Sequence, residues 1–211
     1  DYAAIKNGSY GKLMKAYYAK QDAEKLSGKG DTSQKLTLMK TSADSLKKSA
    51  DALNDSSLWE KKKIKKKDEK TGEEIAVEDY DWDKITKAVK SFVEDYNDVV
   101  KEAGESNTKD VLRNASWMTG MTDKNSNMLA KIGITIGKGN KLELDEDALK
   151  QADISSLKTI FTGYNSFVSK ISQKATGISN AVNRASATYT NNGTYSKTDS
   201  SLTSSKIDKE V

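Results

Sequence analysis

The chain has 211 residues, 31% of them charged and 35% hydrophobic, with 35 Lys plus Arg set against 31 Asp plus Glu. This composition favours an elongated helical bundle over a thick globular core, and the near-balance of charge argues against a dedicated nucleic-acid binder. Cys, His and Pro are all absent, which excludes a disulfide framework and thiolate chemistry, removes the commonest general base and metal ligand, and lets long helices run unbroken.

No stretch approaches the roughly 18 consecutive apolar residues of a membrane span. The first residue is Asp1 rather than Met, so the chain is expected to be a processed or trimmed product, with any signal sequence outside what can be read. Residues 9–26 read as a helix built on Leu13, Tyr17 and Leu26, with Ser27-Gly28 as its stop. A second helix follows a cap at Gly30-Asp31-Thr32 and carries Leu36, Met39, Ala43, Leu46, Ala50 and Leu53 in an unbroken three-four seam.

Residues 58–80 lose that rhythm and change from basic to acidic around Asp68 to Gly72. With Gly72 in the left-handed position after a turn, a hairpin here pairs Ile64 with Val77, Lys63 with Glu78 and Lys67 with Glu74. Lys62, Lys63, Lys66 and Lys67 form a candidate partner surface. KKKIKKK read alone suggests a patch for anionic polymers, but acidic residues follow at once and no aromatic platform accompanies it.

A third helix, capped by Asp81 or Asp83 and ending near Gly104, carries Ile85, Val89, Phe92, Tyr96, Val99 and Ala103. A weaker helical stretch from about Thr108 to Lys131 is expected to break around Gly120 to Asp123. Alternation then takes over: Ile134, Ile136, Leu142 and Leu144 flank Gly137-Lys138-Gly139-Asn140, which predicts a small hairpin packed on the bundle. Asp145 caps the short helix EDALKQA.

The last predicted helix has a seam of Phe161, Tyr164, Val168, Ile171, Ala175, Ile178, Val182, Ala185 and Tyr189. Its small-residue half and Gly177, which costs about 1 kcal/mol relative to Ala, suggest that it needs a partner and that a monomer leaves apolar seam exposed near Ile178 and Val182. From Thr190 the Ser/Thr-rich sequence reads as a loose tail. The expected division is an N-terminal helical hairpin (1–57), a charged β-hairpin insertion (58–80), a helical core with an embedded hairpin (81–190, hairpin 133–144) and a flexible tail (191–211). The fold class is mainly α, a bundle with coiled-coil-like seams and one or two small β-hairpins.

Several fragments fail as chemical motifs. Asp123-Lys124-Asn125-Ser126-Asn127 begins like a calcium loop, but Met128 stands where the turn needs Gly and Ile134 where the bidentate Glu belongs. Gly133 to Gly139 lacks the spacing and the Ser or Thr of a phosphate loop. Asp145-Glu146-Asp147 is better explained by the dipole at a helix start. No catalytic, cofactor or metal site is predicted.

Four segments occur in an order that identifies a family: VKSFVEDYNDVV (89–100), DVLRNASWMTGM (110–121), LAKIGITIGKGNKLELDEDALKQA (129–152) and LKTIFTG (157–163). Together they resemble the C-terminal part of the flagellar hook-associated protein 2 family, the filament cap proteins. Phe92, Val93, Tyr96 and Asn97 match the first element, and Val111, Leu112, Asn114 and Ser116 the second. Ile132, Gly133, Ile134, Lys141, Leu142, Leu144, Asp145, Glu146 and Leu149 match the third, with Ile160 and Phe161 at the fourth. The resemblance implies an exported, extracellular structural protein of the bacterial flagellum, without catalysis, that self-associates and helps flagellin subunits assemble. Its partners would be itself, as a homo-oligomer, and flagellin-like subunits, reached through the seams at 36–53, 85–103 and 161–189. Two departures stand out: only the 58–80 hairpin replaces the large β-rich head domains of cap proteins, and the final helix fades into a Ser/Thr tail. A secreted or cell-surface binding module acting through that hairpin is the competing reading.

Overall fold

The computed structural model describes residues 30–67, 72, 74–189 and 195–197; the helix expected over residues 9–26 lies outside them. In chain order the described elements are α1 (Ser33–Asn54), a 3-10 turn (Ser56–Trp59), β1 (Lys62–Lys67), β2 (Glu74–Asp79), α2 (Trp82–Gly104), α3 (Lys109–Lys124), α4 (Ser126–Ala130), β3 (Ile134–Ile136), β4 (Leu142–Leu144), α5 (Glu146–Gln151), α6 (Ile154–Phe161), α7 (Phe167–Ala185), β5 (Ala187–Tyr189) and β6 (Tyr195–Lys197). The fold is mainly α with small antiparallel hairpins.

The long helices close into a ring. α1 packs against α2 and α7, and α3 packs against the same two helices. Asp31, just before α1, bonds the loop after α2. At the far end of α1, Asn54 accepts the Gly163 N–H ahead of α7. Asp110 at the start of α3 pairs with Arg184 near the end of α7. Neighbouring helices therefore run antiparallel, in up-down-up-down order.

Sequence period explains each buried face. In α1, Leu36, Met39, Ala43, Leu46, Ala50 and Leu53 are all buried, because three-four spacing keeps them on one stripe. A polar ladder flanks the α1–α7 contact. Ser172 donates to Asp51 at 2.7 Å, and Ser179 one heptad on bonds Asp44 one heptad back. Partial burial pushes both carboxyls up, but bonds from Lys40 and Ser179 on Asp44, and from Lys47 and Ser172 on Asp51, outweigh it and hold both below the ordinary carboxylate range.

Helix ends follow local chemistry. Thr32, Asp81, Asp145, Asp153 and Ser166 each cap a helix through a side-chain oxygen that accepts a first-turn N–H. The break expected at Gly120 to Asp123 falls instead at Asn125. The Thr122 hydroxyl donates to the Met118 carbonyl and accepts from Tyr96, so that turn stays helical. Asn125 then folds its amide back onto the Met121 carbonyl.

The single long helix expected over 161–189 is two helices and a strand. Phe161 ends α6, Gly163 takes φ 99° and Ser166 starts α7. Tyr164, read as a seam residue, sits in this break and is 82% exposed. The TGYNS segment holds the stop and the new cap, signals that apolar spacing alone overrides. Tyr189 lies in β5, which pairs with β6, so residues 195–197 of the expected tail form a strand.

The expected exposure of the last helix is also overturned. Ile178 and Val182 are 0% and 2% exposed, covered within one chain. Gly177 has a packing reason: a Cβ there stands 2.5 Å from the Asn114 side-chain oxygen, so glycine lets α7 approach α3 at that point. Below the ring, Trp59 stacks on Phe161 with centroids 5.4 Å apart. Its indole donates to the Leu53 carbonyl at 2.8 Å, so the 3-10 turn plugs the end of the bundle.

Candidate interaction surface

Two hairpins stand on this bundle, and they sit differently. β3 and β4 pair Ile134 with Leu144 and Ile136 with Leu142. Ile134 and Leu142 are buried, while Ile136 and Leu144 are half-buried against the same core. The turn uses left-handed backbone at Gly139 and Asn140, with φ 74° and 66°. Gly133, before β3, has φ 79°, and a Cβ there falls 2.6 Å from the Asp145 carbonyl. Only glycine closes that junction, where the Asp145 N–H donates to Gly133 O at 2.8 Å.

Asn97 of α2 locks this hairpin to the ring. Its amide donates to the Leu142 carbonyl at 2.9 Å and its oxygen accepts the Leu142 N–H at 2.7 Å. One side chain thus serves as a strand neighbour for β4. The residue before it, Tyr96, is buried and donates to Thr122 at 2.9 Å. Burial pushes its phenol well above the ordinary value, so it stays neutral. Tyr96-Asn97 therefore joins α2, α3 and the β3–β4 hairpin at one point.

Just ahead of α1, the Asp31 carboxylate accepts the Ser106 and Thr108 hydroxyls and the Asn107 and Thr108 N–H groups. Partial burial pushes this carboxyl up, but the bonds prevail and hold it below its ordinary value of 3.8. The α2–α3 connection is fastened to α1 by this one group.

The outer face formed by α3 and α7 is the surface that pattern reading overlooked. Trp117 is 61% exposed, with Lys174 of α7 over its ring at 5.3 Å from the centroid. Asp110 bonds Arg113 at 2.8 Å and Arg184 at 3.1 Å, bridging the two helices one turn or more away. A large exposed aromatic with a lysine held over its ring has the composition of a contact hot spot. Its sequence signal was an apolar residue that falls off the seam, since Trp117 sits between the buried Ser116 and Met118.

The β1–β2 hairpin has the register expected from its charges: Ile64 opposite Val77, Lys63 opposite Glu78 and Lys67 opposite Glu74, with φ 73° at Gly72. Lys65 adds a diagonal ion pair to Glu74 at 3.2 Å. Lys62 and Lys63 are exposed, and Lys66 and Lys67 lie further along the same strand. Its base is tied down where Lys61 lies over Tyr80 and Tyr80 meets Trp82 edge to face.

The residues read as self-association seams are placed elsewhere. Leu36, Met39, Leu46, Leu53, Ile85, Phe92, Tyr96, Val99, Phe161, Val168, Ile171, Ile178 and Val182 are buried in one core of a single chain. Among the described residues no group of three or more His, Cys, Asp or Glu is placed to hold a metal ion, and no helix is long and apolar enough to cross a membrane.

Residues 106–210 match the family model described as flagellar hook-associated protein 2 C-terminus. No curated protein and no solved structure matches the chain. The matched segment starts at the Asp31-fastened loop and contains α3, the Asn97-held hairpin and α7.

Proposed function

We propose that this chain, a member of the flagellar hook-associated protein 2 family through residues 106–210, is an exported structural protein of the bacterial flagellum that works by assembling with copies of itself and with flagellin-like subunits. The family match is the observation that carries the reading. The seams are buried inside one chain, and Trp117 with Lys174 over its ring is the strongest surface feature of the matched region. The lysine over it suits an acidic partner face.

Deleting the gene and scoring motility together with monomeric flagellin in the medium tests the role. Loss of motility with flagellin leakage, restored by the wild-type gene and not by Trp117→Ala, is the expected result. Normal motility without leakage overturns the flagellar reading. A Trp117→Ala strain that swims normally keeps the role but moves the contact away from this face.

A further inference from the structure

We infer that the β1–β2 hairpin is a connector between copies of this chain, in which β1 of one copy adds to β2 of the next, head to tail. The inference rests on the assembly reading only in taking the partner to be a second copy. Among the described residues this sheet has two strands and no third, so each strand presents an outer edge that no other described strand pairs. Neither strand packs substantially on a described helix. Along one side of the hairpin Ile64, Val77 and Ile75 form a small apolar strip, with Ile75 43% exposed. Six residues per strand is long for an open edge, and two-stranded ribbons gain stability when further strands join.

Charge decides which edges meet. β1 reads KKIKKK and β2 reads EIAVED, so one strand is basic and the other acidic. Isologous pairing of β1 with β1, or of β2 with β2, sets like charges opposite each other. Pairing β1 with the next copy's β2 repeats the complementarity already present inside the hairpin, where Lys63 faces Glu78 and Lys67 faces Glu74. It also keeps every strand antiparallel to its neighbour and aligns the apolar strips on one side. Such a contact is heterologous, so it propagates into a ring or a row rather than stopping at a two-fold dimer.

The test is a charge exchange in the full chain: Lys63→Glu, Lys65→Glu and Lys67→Glu together with Glu74→Lys and Glu78→Lys. Complementarity inside the hairpin survives, and Asp79, whose carboxylate accepts the Tyr80 N–H, is untouched. Circular dichroism checks that the variant folds. Light scattering at rising concentration and low salt should show that wild type and variant each self-associate. When the two are mixed with different labels they should sort apart, with co-assembly weaker than either self-association by about tenfold or more. Preferential mixed assembly overturns the inference, as does random mixing or a wild-type chain that stays monomeric throughout. Motility of the deletion strain tests the assembly reading separately, so the two failures are distinguishable.

Discussion

The two hairpins, β1–β2 and β3–β4, are opposites in what holds them. The charged one has six residues in each strand, a cross-strand ion pair and little contact with the bundle, whereas the apolar one has three in each strand and is seated in the core. Ladder bonds are common to both, and an isolated strand pair is marginal in water. The difference is burial of Ile134 and Leu142, plus a side chain, Asn97, that pairs with the β4 backbone. Length gives a hairpin an edge; anchoring gives it a fixed place.

The largest break in this comparison should come from Ile134→Ala, which empties a fully buried site and is expected to cost about 3 kcal/mol in urea unfolding with an unchanged m-value. Ile75→Ala on the charged hairpin should stay within about 0.5 kcal/mol. Equal losses at the two positions would erase the distinction. Asn97→Ala should cost about 2 kcal/mol, because it leaves the N–H and C=O of Leu142 without their partners, and amide hydrogen exchange at Leu142 should rise while the β1–β2 amides are unchanged.

Glycine substitution sharpens the contrast. Gly72 and Gly133 both have positive φ, but only Gly133 has backbone within 3 Å of the added Cβ. Thermal unfolding of Gly133→Ala should therefore show a loss about 1 kcal/mol larger than that of Gly72→Ala. Gly72→Ala reports the left-handed strain alone.

A similar contrast separates Asp31 from the hairpin's Lys65–Glu74 ion pair. The folded carboxyl of Asp31 lies below its ordinary value of 3.8, so its stabilising contribution is complete at neutral pH. That contribution is lost as the pH falls below the unfolded value and through the folded one. Asp31→Asn should lose about 1 kcal/mol at neutral pH and show a flatter decline on acidification. A decline identical to wild type would remove Asp31 as the acid-sensitive fastening. The smallest effect is expected from Glu74→Gln, where both partners are well exposed; it should change stability by about 0.3 kcal/mol or less, and that change should vanish at 1 M salt.

Much of the architecture was readable from pattern. The α1 seam, the caps at Asp81 and Asp145, the register of β1 on β2 and the alternation of Ile134, Ile136, Leu142 and Leu144 all express local rules of period, capping and charge. The failures share one cause. Tyr164 keeps the three-four spacing of its neighbours, yet Gly163 and Ser166 end one helix and start another around it. Gly177 looked like a weakness because propensity counts only the helix it sits in; its use is to admit Asn114 from α3. Asn97 and Asn114 were recognisable as motif letters, but nothing along the chain states that one bonds β4 and the other fits under a glycine.

By itself the sequence determined where most helices and strands run, which residues turn inward, how the charged hairpin registers and, through the order of its short motifs, the family to which its C-terminal half belongs. Those properties depend on neighbours a few positions apart, or on opposition across a short turn. Tertiary structure alone decided that the seams close on one another within one chain, that Trp117 is left outside, and that the two hairpins differ in anchoring. Those outcomes depend on which faces meet across tens of residues, and an apolar stripe has the same spacing whether its cover comes from its own chain or from another.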